Sequence, residues 1–214
     1  MFETNYVPQR FNIPAITEAL LTVKEDIAGL RKDPERHAHD FRNGIVIDRF
    51  VQGFSYVDYL ITQDKNPLKD HYHIYELDKI IVYGNDFQEW MRHFEVIESV
   101  RAQFSSRIAK IGQYAQNKNP FMRAAQAFSY TCSKPLPFLD GNMRTALLLA
   151  NYVLAKADLP PFVPQKENAR NYFDQTADFE HMHKRNPILR VRMHLQECVL
   201  AFMFEKSSSS AYLK

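Results

Sequence analysis

The sequence predicts an all-α protein, a helical bundle that carries one small β-hairpin. Apolar residues recur at helical spacing along most of the chain, and proline, glycine or asparagine bounds these stretches. Only residues 71–83 break the pattern toward extended structure. With 45% hydrophobic and 24% charged residues over 214 positions, the composition is that of a packed domain, so the apolar faces have a core to meet.

Ile16, Leu20, Val23, Ile27 and Leu30 fall on one helical face, with Pro14 where a first-turn proline is tolerated and Pro34 as the stop. A second helix is expected over 45–60, after Asn43-Gly44, from Ile47, Phe50, Phe54, Val57 and Tyr59. In 71–83, Ile74, Ile80, Ile81, Val82 and the nearby tyrosines and histidines favour strands, with 76–79 as the turn of a hairpin. Trp90, Phe94, Ile97, Val100, Phe104, Ile108 and Ile111 predict a long helix ending near Gly112. Asn119-Pro120 opens another that runs to about Cys132, where Lys134-Pro135-Leu136-Pro137 forces a loop. Helices over 142–158, 167–178 and 188–205 complete the bundle, with Pro160-Pro161 separating the first two. No repeat or linker divides the chain, so one domain is expected over 1–206, followed by a flexible serine-rich tail over 207–214.

Several function classes are disfavoured. A net charge of +2 without a basic, aromatic-interleaved stripe argues against nucleic acid. The most apolar segment, 145–157, is short and interrupted by Asn151 and Lys156, which argues against a membrane. Cys132 and Cys198 fit neither a disulfide framework nor a zinc spacing, and the first fourteen residues lack the apolar stretch of a signal peptide. A cytoplasmic protein with reduced thiols is expected, with delivery into another cell left open.

The chemistry-bearing segment is 136–162, LPFLDGNMRTALLLANYVLAKADLPPF. A proline-bounded loop ends in Asp140-Gly141-Asn142 and runs straight into an apolar helix, an arrangement that presents unpaired N–H groups and the positive end of the helix dipole to an anion. Gly141 would let a phosphate approach the backbone, Arg144 would add a guanidinium, and Asp140 would hold a magnesium ion beside a pyrophosphate. The plainer alternative also stands at this point: Asp140 caps the helix and Arg144 pairs with an acid.

The segment closely resembles the signature of the Fic family, His-Pro-Phe-x-Asp/Glu-Gly-Asn-Gly-Arg-x-x-Arg. The matching residues are Pro137, Phe138, Asp140, Gly141, Asn142 and Arg144. The likeness continues through the aliphatic helix behind the loop and, more loosely, over about 71–204. It implies a Fic-like helical fold and transfer of AMP or a related group to a protein side chain, with ATP or another nucleotide and Mg2+ as the ligands. It also implies Pro137 and Phe138 as motif scaffold, Gly141, Asn142, Met143 and Arg144 at the phosphates, and Asp140 on the metal. In this family a hairpin called the flap docks the target protein by strand addition, which would assign His73, Ile74 and Tyr75 to target docking.

Three positions depart from the signature. The histidine that serves the family as general base corresponds to Leu136, which accepts no proton, and such a base is worth about a hundredfold to ten-thousandfold in rate. The second glycine corresponds to Met143 and the second arginine to Leu147. The expectation is a degenerate active site, impaired or inactive in AMP transfer, with binding to a protein as its role and with or without a nucleotide. The alternative is a non-standard nucleotide-dependent protein transferase whose base comes from elsewhere, His73 being the candidate.

Other groups point to solvated or core positions. Of the pairs His37/His39, His71/His73 and His181/His183, only His71/His73 would converge, and only on a strand. Arg170 and His183-Lys184-Arg185 read as solvated charge, and Met193, Met203 and the aromatics of 121–130 read as core.

Overall fold

The computed structural model describes residues 6–30, 44–85, 87–182 and 186–214. Helix α1 spans Ile13–Leu30, with Pro14 in its first turn and Ile16, Leu20 and Val23 buried. Helix α2, Gly44–Thr62, buries Ile47, Phe50, Phe54, Val57 and Ile61, a spacing of three and four that lays one apolar stripe on the core. Pro34, Asn43, His37 and His39 lie outside the described residues.

The predicted hairpin is a helix. Helix α3 spans Tyr72–Tyr83 and buries Ile74, Leu77, Ile80 and Ile81. Leu77 stands three residues from Ile74 and three and four from Ile80 and Ile81, one helical face, and burying that stripe outweighs the weak strand preference of isoleucine and tyrosine. Its end is closed by Gly84, whose N–H donates to the Ile80 carbonyl, and by Arg49, which donates to the Val82 carbonyl. No strand forms among the described residues; there is one isolated antiparallel bridge, between Phe11 and Leu213.

The long helix expected from Trp90 onward is split at His93 into α4, Phe87–Arg92, and α5, Phe94–Tyr114. Gly112 lies inside α5 rather than at its end: a Cβ there would sit 1.9 Å from the Leu68 carbonyl oxygen, so the glycine permits a close backbone approach. Helix α6, Pro120–Cys132, starts on Asn119, whose side chain accepts from the N–H groups of Phe121 and Met122 at 2.9 and 3.2 Å.

Helix α7, Asn142–Lys156, is buried from Arg144 through Ala155, and α6, α2 and α3 pack around it. A helix enclosed on all sides must satisfy its polar residues internally. Asn151 does so by donating to the Phe162 carbonyl at 2.8 Å and accepting from the Phe162 N–H at 2.7 Å, which ties the chain after Pro160-Pro161 back to the helix. Helix α8, Lys166–Ala177, continues into a 3-10 turn, Asp178–His181. Helix α9, Pro187–Ser207, is capped by Asn186 and lies across α6.

The C-terminal residues are not a loose tail. Residues 210–212 form a 3-10 turn, Tyr212 is buried with its hydroxyl donating to Gln165 at 2.7 Å, and the Lys214 N–H donates to the Arg10 carbonyl at 2.8 Å. The N-terminal segment is held from the other side by buried Asp58 on α2. Its carboxylate accepts from the N–H groups of Gln9, Arg10 and Phe11 and from the Tyr6 hydroxyl, all within 2.5–2.8 Å.

No helix among the described residues is long and apolar enough to cross a membrane.

Candidate functional site

The loop of 133–141 delivers the chain into α7 as the sequence predicts: α7 begins at Asn142, and Gly141 stands before it with φ +72°. That left-handed conformation is cheap only for glycine. The first-turn N–H groups have no acceptor within the helix, so the positive helix end is present.

The side chains expected around a phosphate are engaged elsewhere. Asn142 folds back on the loop, accepting from the Phe138 N–H at 3.0 Å and donating to the Phe138 carbonyl at 2.9 Å. Arg144 is buried; it donates to the Ile81 carbonyl at the end of α3 at 3.3 Å, and its other terminal nitrogen lies 3.8 Å from Asp140. Arg144 thus spans the end of α3 and the loop's own acid. Met143 turns toward α8, where the Thr176 hydroxyl approaches its sulfur at 3.7 Å, so its bulk does not crowd the helix-start amides. Leu147 is core.

The space above Gly141 is filled by α3. A Cβ on Gly141 would stand 3.1 Å from each of Asp78 Oδ1, Ile81 Cγ2 and Val82 Cγ2. The close approach that glycine allows here is used by a helix of the same chain.

Pro137 and Phe138 are buried, and the Phe138 ring meets Tyr75 of α3 edge-on at 6.4 Å. Leu136 is half-buried, and its carbonyl accepts from Arg107 at 2.9 Å. Leu139 projects into solvent at the tip of the loop.

Beside the loop is a cleft of about 240 Å³ between α3, α5 and the loop, lined by Tyr72, Tyr75, Val82, Tyr83 and Leu139 together with charged groups. Its volume falls below the roughly 300–1,000 Å³ usual for small-molecule sites. Among the described residues, four carboxylates line it, Glu76, Asp78, Glu98 and Asp140, against one cation, Lys79. Lys79 Nζ is already 2.6 Å from Glu76 Oε1 and 3.7 Å from the centroid of the Trp90 ring. Burial pushes the Asp78 carboxyl well above the ordinary aspartate range, and the nearby charge of Asp140 adds to the shift, while a hydrogen bond from Thr145 and the charge of Arg144 oppose it. Among the described residues, the cleft lining carries more acidic than basic side chains.

Asp140 faces solvent and this cleft, and one of its oxygens accepts from the Gly141 N–H at 2.6 Å. Among the described residues no group of three or more His, Cys, Asp or Glu side chains is placed to hold a metal ion. The two groups expected to receive a pyrophosphate beside Asp140 are engaged: Arg144 donates to the end of α3, and α3 covers Gly141.

His73 is directed at α2. Its Nδ1 lies 2.8 Å from the Tyr56 hydroxyl and its Nε2 3.8 Å from Asp70, and burial lowers its pKa against the opposing pull of Asp70. It is absent from the cleft lining, so the structure does not bring the candidate substitute base to the loop. Ile74 is buried under α3 and Tyr75 packs on the loop. Because the main-chain groups of 72–83 are spent on helical bonds, this segment cannot dock a target by strand addition, and the flap role of His73, Ile74 and Tyr75 falls with the hairpin. His71 is exposed, and on a helix it does not share a face with His73. Arg170 sits on the surface of α8, 3.9 Å from Asp174, and 183–185 lie outside the described residues.

Sequence reasoning missed Asp78, Lys79 and Tyr83 as neighbours of the loop. The signal was the three-to-four spacing of Ile74, Leu77 and Ile80, which makes 72–83 a helix and turns Asp78 toward Gly141.

Compared with known proteins, residues 60–154 match the model of the Fic/DOC family. No curated protein and no solved structure matches the chain. The matched stretch runs from the end of α2 through α3, α4, α5, α6 and the loop into α7, and includes the elements that enclose the site just described. Through this segment the chain is similar to the Fic/DOC family.

Proposed function

We propose that this chain is a Fic/DOC-type protein with a degenerate active site, impaired or inactive in AMP transfer, and that it acts by binding another protein. The observation that carries the reading is the inward commitment of the loop's polar groups: Asn142 is bonded to Phe138, Arg144 to the end of α3, and Gly141 is covered by Asp78, Ile81 and Val82. Leu136 adds no proton acceptor at the position of the family's histidine. The acid-rich, undersized cleft supports the same reading, since its one cation among the described residues, Lys79, is already paired with Glu76. Protein contact falls to the exposed apolar groups at the cleft mouth, Leu139 and Tyr72.

The test uses the full chain with ATP or CTP labelled in the α-phosphate, with and without Mg2+, alone and with cell lysate. No labelled protein is expected. Labelling that Asp140→Ala abolishes would overturn the proposal in favour of a non-standard nucleotide-dependent transferase.

A further inference from the structure

Helix α9 is apolar on two faces. One face is covered by α6 and α8 and carries buried Met193, Leu200 and Phe204. Nearly opposite, Ile188, Val191, Leu195, Val199 and Phe202 are between 44% and 80% exposed. At 100° per residue these five side chains fall within about 80° of the helix circumference, a single stripe. Among the described residues, the other exposed large apolar side chains are scattered over the remaining elements, as on any surface.

The spacing of the stripe identifies what fits it. The steps along 188, 191, 195, 199 and 202 are three, four, four and three, a sequence that reads the same in both directions about Leu195. Set two copies of α9 antiparallel about a two-fold axis at Leu195 and every layer is apolar: Ile188 meets Phe202, Val191 meets Val199, and Leu195 meets itself. A two-fold interface requires one surface to complement itself, and this stripe has that property. The area is also sufficient: five such side chains offer on the order of 500 Å² per copy, about 1,000 Å² per pair, which reaches the size of a specific interface.

We propose that this chain forms a homodimer through antiparallel pairing of α9, centred on Leu195. The proposal is independent of the reading of the Fic-type loop, because the stripe shares no residue with that site.

The geometry fixes the test. Packed helices stand about 8–10 Å apart with Cα atoms about 2.3 Å from each axis, so two residues facing each other at the two-fold axis have Cα atoms about 3.5–5.5 Å apart, a range that overlaps that of a disulfide. Native Cys198, three residues from the centre, would stand about 9 Å along the axis from its copy, out of range. In a Cys198→Ser background, with Cys132 buried, Leu195→Cys alone is expected to give a covalent dimer under mild oxidation. Val191→Cys and Val199→Cys should each give little, and their mixture should give a mixed dimer. By light scattering after size exclusion, the unmodified chain is expected to be dimeric, and Leu195→Glu is expected to be monomeric with its helical circular dichroism retained and dimer dissociation shifted to at least hundredfold higher concentration. A wild-type chain that stays monomeric at 100 μM would overturn the proposal. So would a dimer indifferent to Leu195→Glu, or one that Val191→Cys alone cross-links, which would mean a parallel pairing.

Discussion

Gly141→Ala separates a phosphate cradle from a packing glycine. The residue sits at φ +72°, where an alanine costs about 1–2 kcal/mol relative to glycine. The added methyl also enters 3.1 Å contacts with Asp78 Oδ1, Ile81 Cγ2 and Val82 Cγ2. Two of these three atoms belong to branched side chains on a helix whose end Arg144 and Arg49 hold, so relief by side-chain motion is limited and an overpacking cost of about 1–3 kcal/mol applies. Together the substitution should destabilise the fold by about 2–5 kcal/mol, a fall in Tm of roughly 5–15 °C for a chain of this size. Gly44→Ala is the internal control: its Cβ would meet nothing within 4 Å, so its effect should stay within about 0.5 kcal/mol. Thermal and urea unfolding followed by circular dichroism measure both. A Gly141→Ala protein that melts like wild type would refute the placement of α3 over the loop and reopen the space above the glycine to a ligand.

Asp78→Asn should stabilise the protein, and more so at higher pH. The folded chain holds the Asp78 proton more tightly than the unfolded chain, so its favourable contribution is complete below about pH 4 and is lost as pH rises through the raised folded value. Urea titrations at pH 4, 6 and 8 check this, and a gain that did not grow with pH would count against the buried carboxyl as its source. Asp58→Ala should cost about 3–5 kcal/mol, because it strands the N–H groups of Gln9, Arg10 and Phe11 together with the Tyr6 hydroxyl; a loss under 1 kcal/mol would mean that the N-terminal segment is held by other contacts. The double variant Leu136→His with Met143→Gly should remain unable to label protein from ATP, since Met143 packs toward Thr176 and α3 still covers Gly141; robust labelling would show that the two replacements alone silence the site.

The helices were legible where two signals agreed. Asn119-Pro120 combines a capping side chain with a first-turn proline, and α6 begins there; Asn186-Pro187, a pair of the same kind, opens α9 one residue before the expected start at 188. The start of α7 at Asn142 was readable from Asp140-Gly141 and the apolar run behind it. The sequence misled where composition and periodicity disagreed: in 72–83 the isoleucines and tyrosines favour strands, but Leu77 completes a helical stripe with Ile74 and Ile80, and the core rewards the stripe. The final turn was misread because its serines suggest fraying. Tyr212 donates to Gln165 and its neighbour Leu213 bridges Phe11, contacts some 50 and 200 positions away that no local pattern reveals. The positions of the site residues were legible, but not what their side chains touch. That depends on which face α3 turns to the loop.

The partition of the family's signature in this chain follows from what each position does for the fold. Phe138, Gly141, Asn142 and Arg144 match the signature, and each serves the interior of the protein. Phe138 fills the core beside Tyr75, Asn142 closes the loop on Phe138, Gly141 admits α3, and Arg144 caps that helix. The positions that depart from it hold apolar side chains, and two of these add packing: Leu147 lies in the core and Met143 lies against α8. Residues that a transferase would need for both folding and phosphate contact can therefore persist through their folding role alone. A histidine at 136 has no comparable role, because that position contributes its carbonyl to Arg107, and any residue supplies a carbonyl. The match over 60–154 and the absence of a base at 136 are thus compatible on physical grounds: the match reads the scaffold, and the scaffold needs no proton acceptor there.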